Sequence, residues 1–260
     1  TPRLAVIYTP EAWTFKAIYS EAFQDAPNFQ RFSLLPGQRE LPAPDLRPAL
    51  VKNLELVAAW QPTDAFAAEL ALYEARYSDI VEEVGGLPCT LADCTVPTSS
   101  QFQNIGAIDI TGVQLTASYT REKWSAWGNY STTDPTNQDD GRRTSDIADH
   151  RINVGFSRTF QERLELALRA NWVSARDVGA GTSPGTNPAG KIDSFLVVNG
   201  AFTWKDVLPK HEGLELQLIV NNLLDEEYYH PGIRNGAGTF FASRIPQAER
   251  AFFLRLRYSR

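Results

Sequence analysis

Methionine is absent from the 260 residues, and cysteine and histidine are scarce, at two and three. With no initiator, and no signal peptide ahead of Thr1-Pro2-Arg3, the chain reads as a processed or excised segment. No apolar run approaches the roughly 20 residues that a spanning helix needs, which excludes a helical membrane protein. A transmembrane β-barrel is not excluded, because its signal is spread over alternating segments of about 10 residues. Net charge is −6 and no basic stripe stands out, so no nucleic-acid partner is expected. His150, His211 and His230 are dispersed, which argues against a metal site or a catalytic triad. Asn235-Gly236-Ala237-Gly238 lacks the Lys-Ser/Thr that follows in a phosphate loop. The carboxylate clusters at Glu82-Glu83 and Asp225-Glu226-Glu227 read as solvated rather than catalytic, and Asp139-Asp140 as a polar loop. No cofactor and no enzymatic activity are expected. Cys89 and Cys94, in LPCTLADCTVP, suit a local disulfide in an oxidising compartment, with free thiols as the alternative.

What the sequence does hold is a period of two. Trp13, Phe15, Ala17 and Tyr19 alternate with Thr14, Lys16 and Ser20. The same pattern recurs in Leu54–Trp60, Phe66–Leu72, Val113–Tyr119, Ile152–Phe160, Leu164–Trp172, Leu196–Trp204, Leu214–Val220 and Phe252–Tyr258. About eleven strands result, and their connections alternate between short and long. The long ones are Phe23–Pro48, Asp79–Gln101, Thr133–Ile147, Ser174–Lys191 and Tyr228–Pro246. Short turns at one end and long loops at the other are the habit of outer-membrane barrels. Trp13, Trp60 and Trp124 stand beside short turns, where an interfacial aromatic girdle would lie. Lys52 and Arg158 fall on the apolar parity, which predicts either snorkelling near a strand end or a bulge. The fold class is all-β, a transmembrane antiparallel β-barrel. A soluble β-rich hydrolase, its apolar face packed on a second layer, is a competing class.

The C-terminal stretch VNNLLDEEYYHPG followed by IPQAERAFFLRLRY resembles the end of TonB-dependent outer-membrane receptors. Asn222, Leu223, Leu224 and Asp225, then Tyr228 and Tyr229, match its Asn-Leu-hydrophobic-Asp element and paired aromatics. Pro246, Gln247 and Arg250 match the Pro-Gln-x-x-Arg element before the closing strand. Upstream, Ala22, Phe23 and Pro27, then Pro44-Asp45-Leu46-Arg47-Pro48, then Gly112-Val113-Gln114-Leu115 are similar to further family motifs in the right order.

The resemblance implies that residues 1–260 are the C-terminal portion of a barrel of about 22 strands, without its plug and first strands. It implies energised uptake of a scarce solute such as a ferric siderophore, with a passive pore or adhesin barrel as the alternative. Implied partners are outer-membrane lipid and lipopolysaccharide, the TonB complex through an N-terminal plug, and the ferric siderophore or similar ligand. The implied place is the outer membrane of a Gram-negative bacterium. Tyr228, Tyr229 and Arg234 are candidates for the ligand vestibule, with anchoring of the strand at the membrane surface the competing reading for the two tyrosines. Lys16, Glu55, Glu69, Arg169, Asp193, Arg255 and Arg257 are expected to face the lumen.

Overall fold

The computed structural model describes residues 1–32, 40–89, 98–138, 141–179, 190–208, 213–232 and 242–259. In chain order the elements are β1 (Arg3–Tyr8), β2 (Trp13–Gln24), α1 (Asn28–Phe32), β3 (Glu40–Leu41), β4 (Ala49–Thr63), β5 (Phe66–Pro88), β6 (Thr98–Arg121) and β7 (Trp124–Asn137). They continue with β8 (His150–Phe160), β9 (Leu164–Val173), β10 (Arg176–Asp177), β11 (Lys191–Ile192), β12 (Phe195–Trp204) and β13 (Leu214–Asn221). The last are β14 (Tyr229–Pro231), β15 (Arg244–Pro246) and β16 (Ala251–Tyr258). The main sheet runs β1-β2-β4-β5-β6-β7-β8-β9-β12-β13-β16, with β3 lying parallel on β6. Two small ribbons, β10–β11 and β14–β15, sit apart from it.

Each strand along that path pairs antiparallel with its neighbour, so a residue and its partner share a face. Phe15 faces Ala58, then Leu70, then Leu115. On the other face Lys16 is followed by Val57, Ala71, Gln114, Ser131 and Arg151. Lys16, Glu55, Glu69, Arg169, Arg255 and Arg257 all lie on this second, polar face. Asp193 differs: it precedes β12 and belongs to no strand, because β12 begins only at Phe195. Amides cross this face as a ladder, Asn171 donating to Asn153 (2.5 Å) and Asn153 to Asn129 (2.7 Å).

In β2, β4 and β8 exposure is inverted relative to a water-soluble sheet. Leu54 and Leu56 are 46% and 48% exposed, whereas Val57 on the polar face is 6% exposed. In β8, too, the apolar-face residues Ile152, Val154 and Phe156 are exposed, and Gly155 opposite them is buried. No second layer of protein covers the apolar face among the described residues: Phe15, Leu70, Leu115, Phe202 and Leu254 are all exposed. The buried apolar cluster of Ala26, Ala43 and Leu46, against Val81 and Phe102, lies in the connections beyond the sheet's middle. No helix among the described residues is long and apolar enough to cross a membrane.

At the short-turn end the aromatic side chains associate. Trp13 stacks on Trp60 with centroids 5.7 Å apart, and Tyr119 on Trp124 at 4.6 Å. Register runs unbroken through Lys52 and Arg158, so neither marks a bulge. Lys52 instead reaches Glu21 at 4.0 Å, and the Arg158 guanidinium covers the Phe160 ring at 4.8 Å, towards the adjacent short turn.

Two glycines allow close approach across the polar face. Tyr73 lies over its partner Gly112, with its hydroxyl 3.1 Å from Thr133 Oγ1 and 3.3 Å from Thr132 O. The Trp127 indole lies over its partner Gly155.

Most of the expected loop Asp79–Gln101 is strand: β5 continues to Pro88 and β6 begins at Thr98. Register shifts at Tyr77/Ile80 and Val84/Leu87, with Asp79 in the left-handed region, break the alternation that would have revealed it. β7 likewise continues to Asn137, into the expected loop Thr133–Ile147. Cys89 is disulfide-bonded; Cys94, the other cysteine of the chain, lies outside the described residues.

Candidate ligand vestibule

The long connections gather at the end of the sheet opposite the short turns. The first of them folds back on the β5–β6 hairpin through Phe29, edge-on to Phe102 at 5.7 Å, and through the β3–β6 pairing. Asn104 clamps the Pro-Asp-Leu-Arg-Pro segment: its Oδ1 accepts from Arg47 N (2.8 Å), and its Nδ2 donates to Arg47 O (2.9 Å) and Asp79 O (2.7 Å). The Arg47 side chain adds an ion pair to Asp79 at 2.5 Å.

The last connection is locked by the two motifs at the C-terminal end. Asn222 is 3% exposed and takes a left-handed φ of 51°, a conformation asparagine tolerates better than most residues. Its N–H donates to Asn199 Oδ1 (2.9 Å) and its Nδ2 to Glu226 O (2.8 Å), while its Oδ1 accepts from Glu226 N (2.9 Å). Asp225 receives the Arg250 N–H (3.1 Å) and guanidinium (3.0 Å). The Asn-Leu-Leu-Asp and Pro-Gln-x-x-Arg elements are thus two halves of one clasp that sets the start of β16. Asn222→Ala removes the side-chain bonds at a buried site, and should cost about 2–4 kcal/mol. Guanidinium unfolding of the protein in detergent, followed by tryptophan fluorescence, measures it.

At this end of the sheet lies a cluster that the sequence places only in part. Tyr228 packs on Phe195 with centroids 4.7 Å apart, and His230 lies 6.0 Å from Phe195. Tyr229 turns elsewhere: its hydroxyl donates to Glu227 and its ring lies 4.1 Å beneath the Arg244 guanidinium. Arg234 lies outside the described residues, as do Asp139, Asp140, His211 and the glycine-rich stretch from Asn235 to Gly238. Among the described residues no group of histidine, cysteine and carboxylate side chains could hold a metal. Glu82 and Glu83 lie on the extension of β5, and Asp225 is engaged in the clasp.

Arg176 was not anticipated. It stands in a stretch that reads as a Gly/Ser/Pro-rich loop, and nothing in its neighbours signals burial. The side chain is nevertheless 8% exposed, with its guanidinium 5.9 Å from the Phe195 ring centroid. One Nη makes a long 3.5 Å bond to Tyr229 O, and Nε has no acceptor. A buried donor left unpaired costs about 1–3 kcal/mol, more on a charged group. Burial, then the nearby Arg151, holds the guanidinium below the usual arginine range, with Asp146 opposing. Burial and Arg176 also push His230 down, favouring its neutral ring. Beside Arg176 opens a polar cavity of about 200 Å³ between the β7–β8 and β9–β12 connections.

The family model of the TonB dependent receptor-like β-barrel matches residues 1–223. The chain belongs to that family. The family is one of transport receptors, not enzymes. Among curated relatives, the heme/hemopexin utilization protein C of Haemophilus influenzae (strain Rd) is 25% identical over 244 residues, covering 82% of this chain. The chain spans about a third of that relative's length, 33%. Solved structures share the fold. The FrpB iron transporter of Neisseria meningitidis superposes with a TM-score of 0.70 at 20% identity, over 99% of this chain and 38% of that one. The ferric-catecholate import receptor Fiu of E. coli K12 gives 0.72 at 18% identity, over 98% and 34%.

Proposed function

We propose that this chain forms part of the outer-membrane wall of a TonB-energised receptor that imports a scarce iron-bearing solute, a ferric siderophore or haem. The observation that carries the reading is the uncovered apolar face, backed by a polar face bearing Lys16, Glu55, Glu69, Arg169, Arg255 and Arg257. Lipid and lipopolysaccharide cover the first; the second faces a lumen where a plug sits and through which TonB acts. A wall of amides and spaced charges lets a plug move against it without apolar adhesion. The names of the curated relative and of the similar structures, which speak of heme utilization and iron import, support iron as the cargo. Tyr228 and the loops around it would meet the solute first.

The test is uptake of radio-iron, as haem and as ferric siderophores, by iron-starved cells with and without the gene. Uptake should fall to background in the deletion strain and on adding a protonophore. Uptake that persists after the protonophore would favour a passive pore, which would also conduct in planar bilayers.

A further inference from the structure

We propose that the cavity beside Arg176 is a seat for a single carboxylate group carried by the imported solute. This rests on the receptor reading for the origin of the carboxylate, and on the residues below for the site itself. The cavity is lined by Arg143, Thr144, Asp149, Arg176, Asp177 and Lys191, among others. Its other cations are already matched. Arg143 pairs with Asp134 at 2.7 Å and with Asp149, and Lys191 stands 4.0 Å from Asp177. Arg176 forms no ion pair with any carboxylate among the described residues. It is the most buried of the three, yet its Nε has no acceptor. Thr144 Oγ1, on the same cavity, has none either.

Arg176 and Thr144 both line this cavity, and each holds a buried polar atom with no hydrogen-bond partner. A carboxylate meets the guanidinium fork with two parallel hydrogen bonds, one to each oxygen, and each oxygen keeps a lone pair that a hydroxyl can reach. One negative charge suits the site better than two. Asp149 and Asp177 already line the cavity and would repel a phosphate dianion. The Phe195 ring beneath Arg176 excludes water on that side, which strengthens a charge-assisted bond.

The experiment uses the full-length receptor in detergent micelles and saturation-transfer difference NMR, with propanoate as probe and propanamide and inorganic phosphate as controls. Propanoate should bind, and propanamide and phosphate should bind at least about tenfold more weakly. Arg176→Met should weaken propanoate by about tenfold or more, and Arg176→Lys, which keeps the charge and loses the fork, by several-fold. Thr144→Val should weaken it about threefold, and decides the matter where Arg176→Met fails to fold. Equal binding of propanamide, preference for phosphate, or propanoate binding unaltered in folded Arg176→Met or in Thr144→Val would overturn the proposal. Propanoate binding that depends on Arg176 in a protein that imports no iron would leave this site standing and remove the receptor reading instead.

Discussion

Leu168→Arg should destabilise the folded receptor by about 2–4 kcal/mol, while Arg169→Leu, one residue along, should change stability by less than about 1 kcal/mol. The two side chains leave β9 on opposite faces. Leu168 stands midway along the apolar row Leu164, Leu166, Leu168, Ala170 and Trp172, and Arg169 shares the polar face with its partners Gly155 and Asn199. An arginine at Leu168 would be held in hydrocarbon, far from either headgroup layer. The cost should follow depth: at Leu164, beside the Gln161–Arg163 turn, it should fall to about 0–1 kcal/mol. Arg158 is the natural precedent, a cation on the apolar face tolerated next to the same turn. Urea titration of the full-length receptor in phospholipid vesicles measures all three. A nitroxide attached through Leu168→Cys identifies the surroundings: it should collide with dissolved oxygen and be shielded from a water-soluble nickel chelate. Collision with the chelate instead would place this face in water and end the membrane reading.

Gly155→Val should prevent assembly of the native sheet or lower its stability by more than about 3 kcal/mol. A Cβ at Gly155 would lie 2.3 Å from Trp127 Nε1 and 2.4 Å from Cε2, distances no side chain sustains. The indole is held in its strand directly opposite and would have to swing off the glycine, giving up the packing of an aromatic side chain. Gly112→Val should behave similarly, since a Cβ there would meet the Tyr73 hydroxyl at 2.3 Å and Thr132 O at 2.5 Å. The double variant Gly155→Val, Trp127→Ala separates the causes. Recovery of folded protein relative to Gly155→Val alone, judged by heat-modifiable migration on gels, assigns the defect to the clash. A double variant no better than the single one assigns it to the strand itself.

The sheet was legible because hydrocarbon outside and polar contents inside impose one rule on every residue of a spanning strand. Phe15, Leu56, Leu168 and Leu254 obey it, and no tertiary detail is needed to place them. The clasp was half legible: Asn222, Asp225 and Arg250 could be matched as motifs, but their hydrogen bonds span a connection whose path no periodicity records. Beyond the membrane the rule lapses. Strand continues in β5 through Asp79, Glu82 and Glu83, where register shifts break the alternation and the first connection packs on Val81 and Phe102. Arg176 was invisible for a related reason. Its burial depends on Phe195 and Tyr229, which the chain reaches 19 and 53 residues later, and local sequence says nothing of either. Asp193 has the parity of Asn199 but lies in a segment that is not pleated, so alternation there carries no information about its face.

The β5–β6 hairpin has strands of 23 and 24 residues, whereas about 9–11 suffice to cross the outer membrane. At about 3.3 Å per residue, the surplus stands well clear of the lipid as a stiff fin, with bonded Cys89 just past the end of its ascending strand. Among the described strands these two reach furthest past the paired sheet, so in an outer-membrane protein of this family they are open to macromolecules too large to enter a barrel.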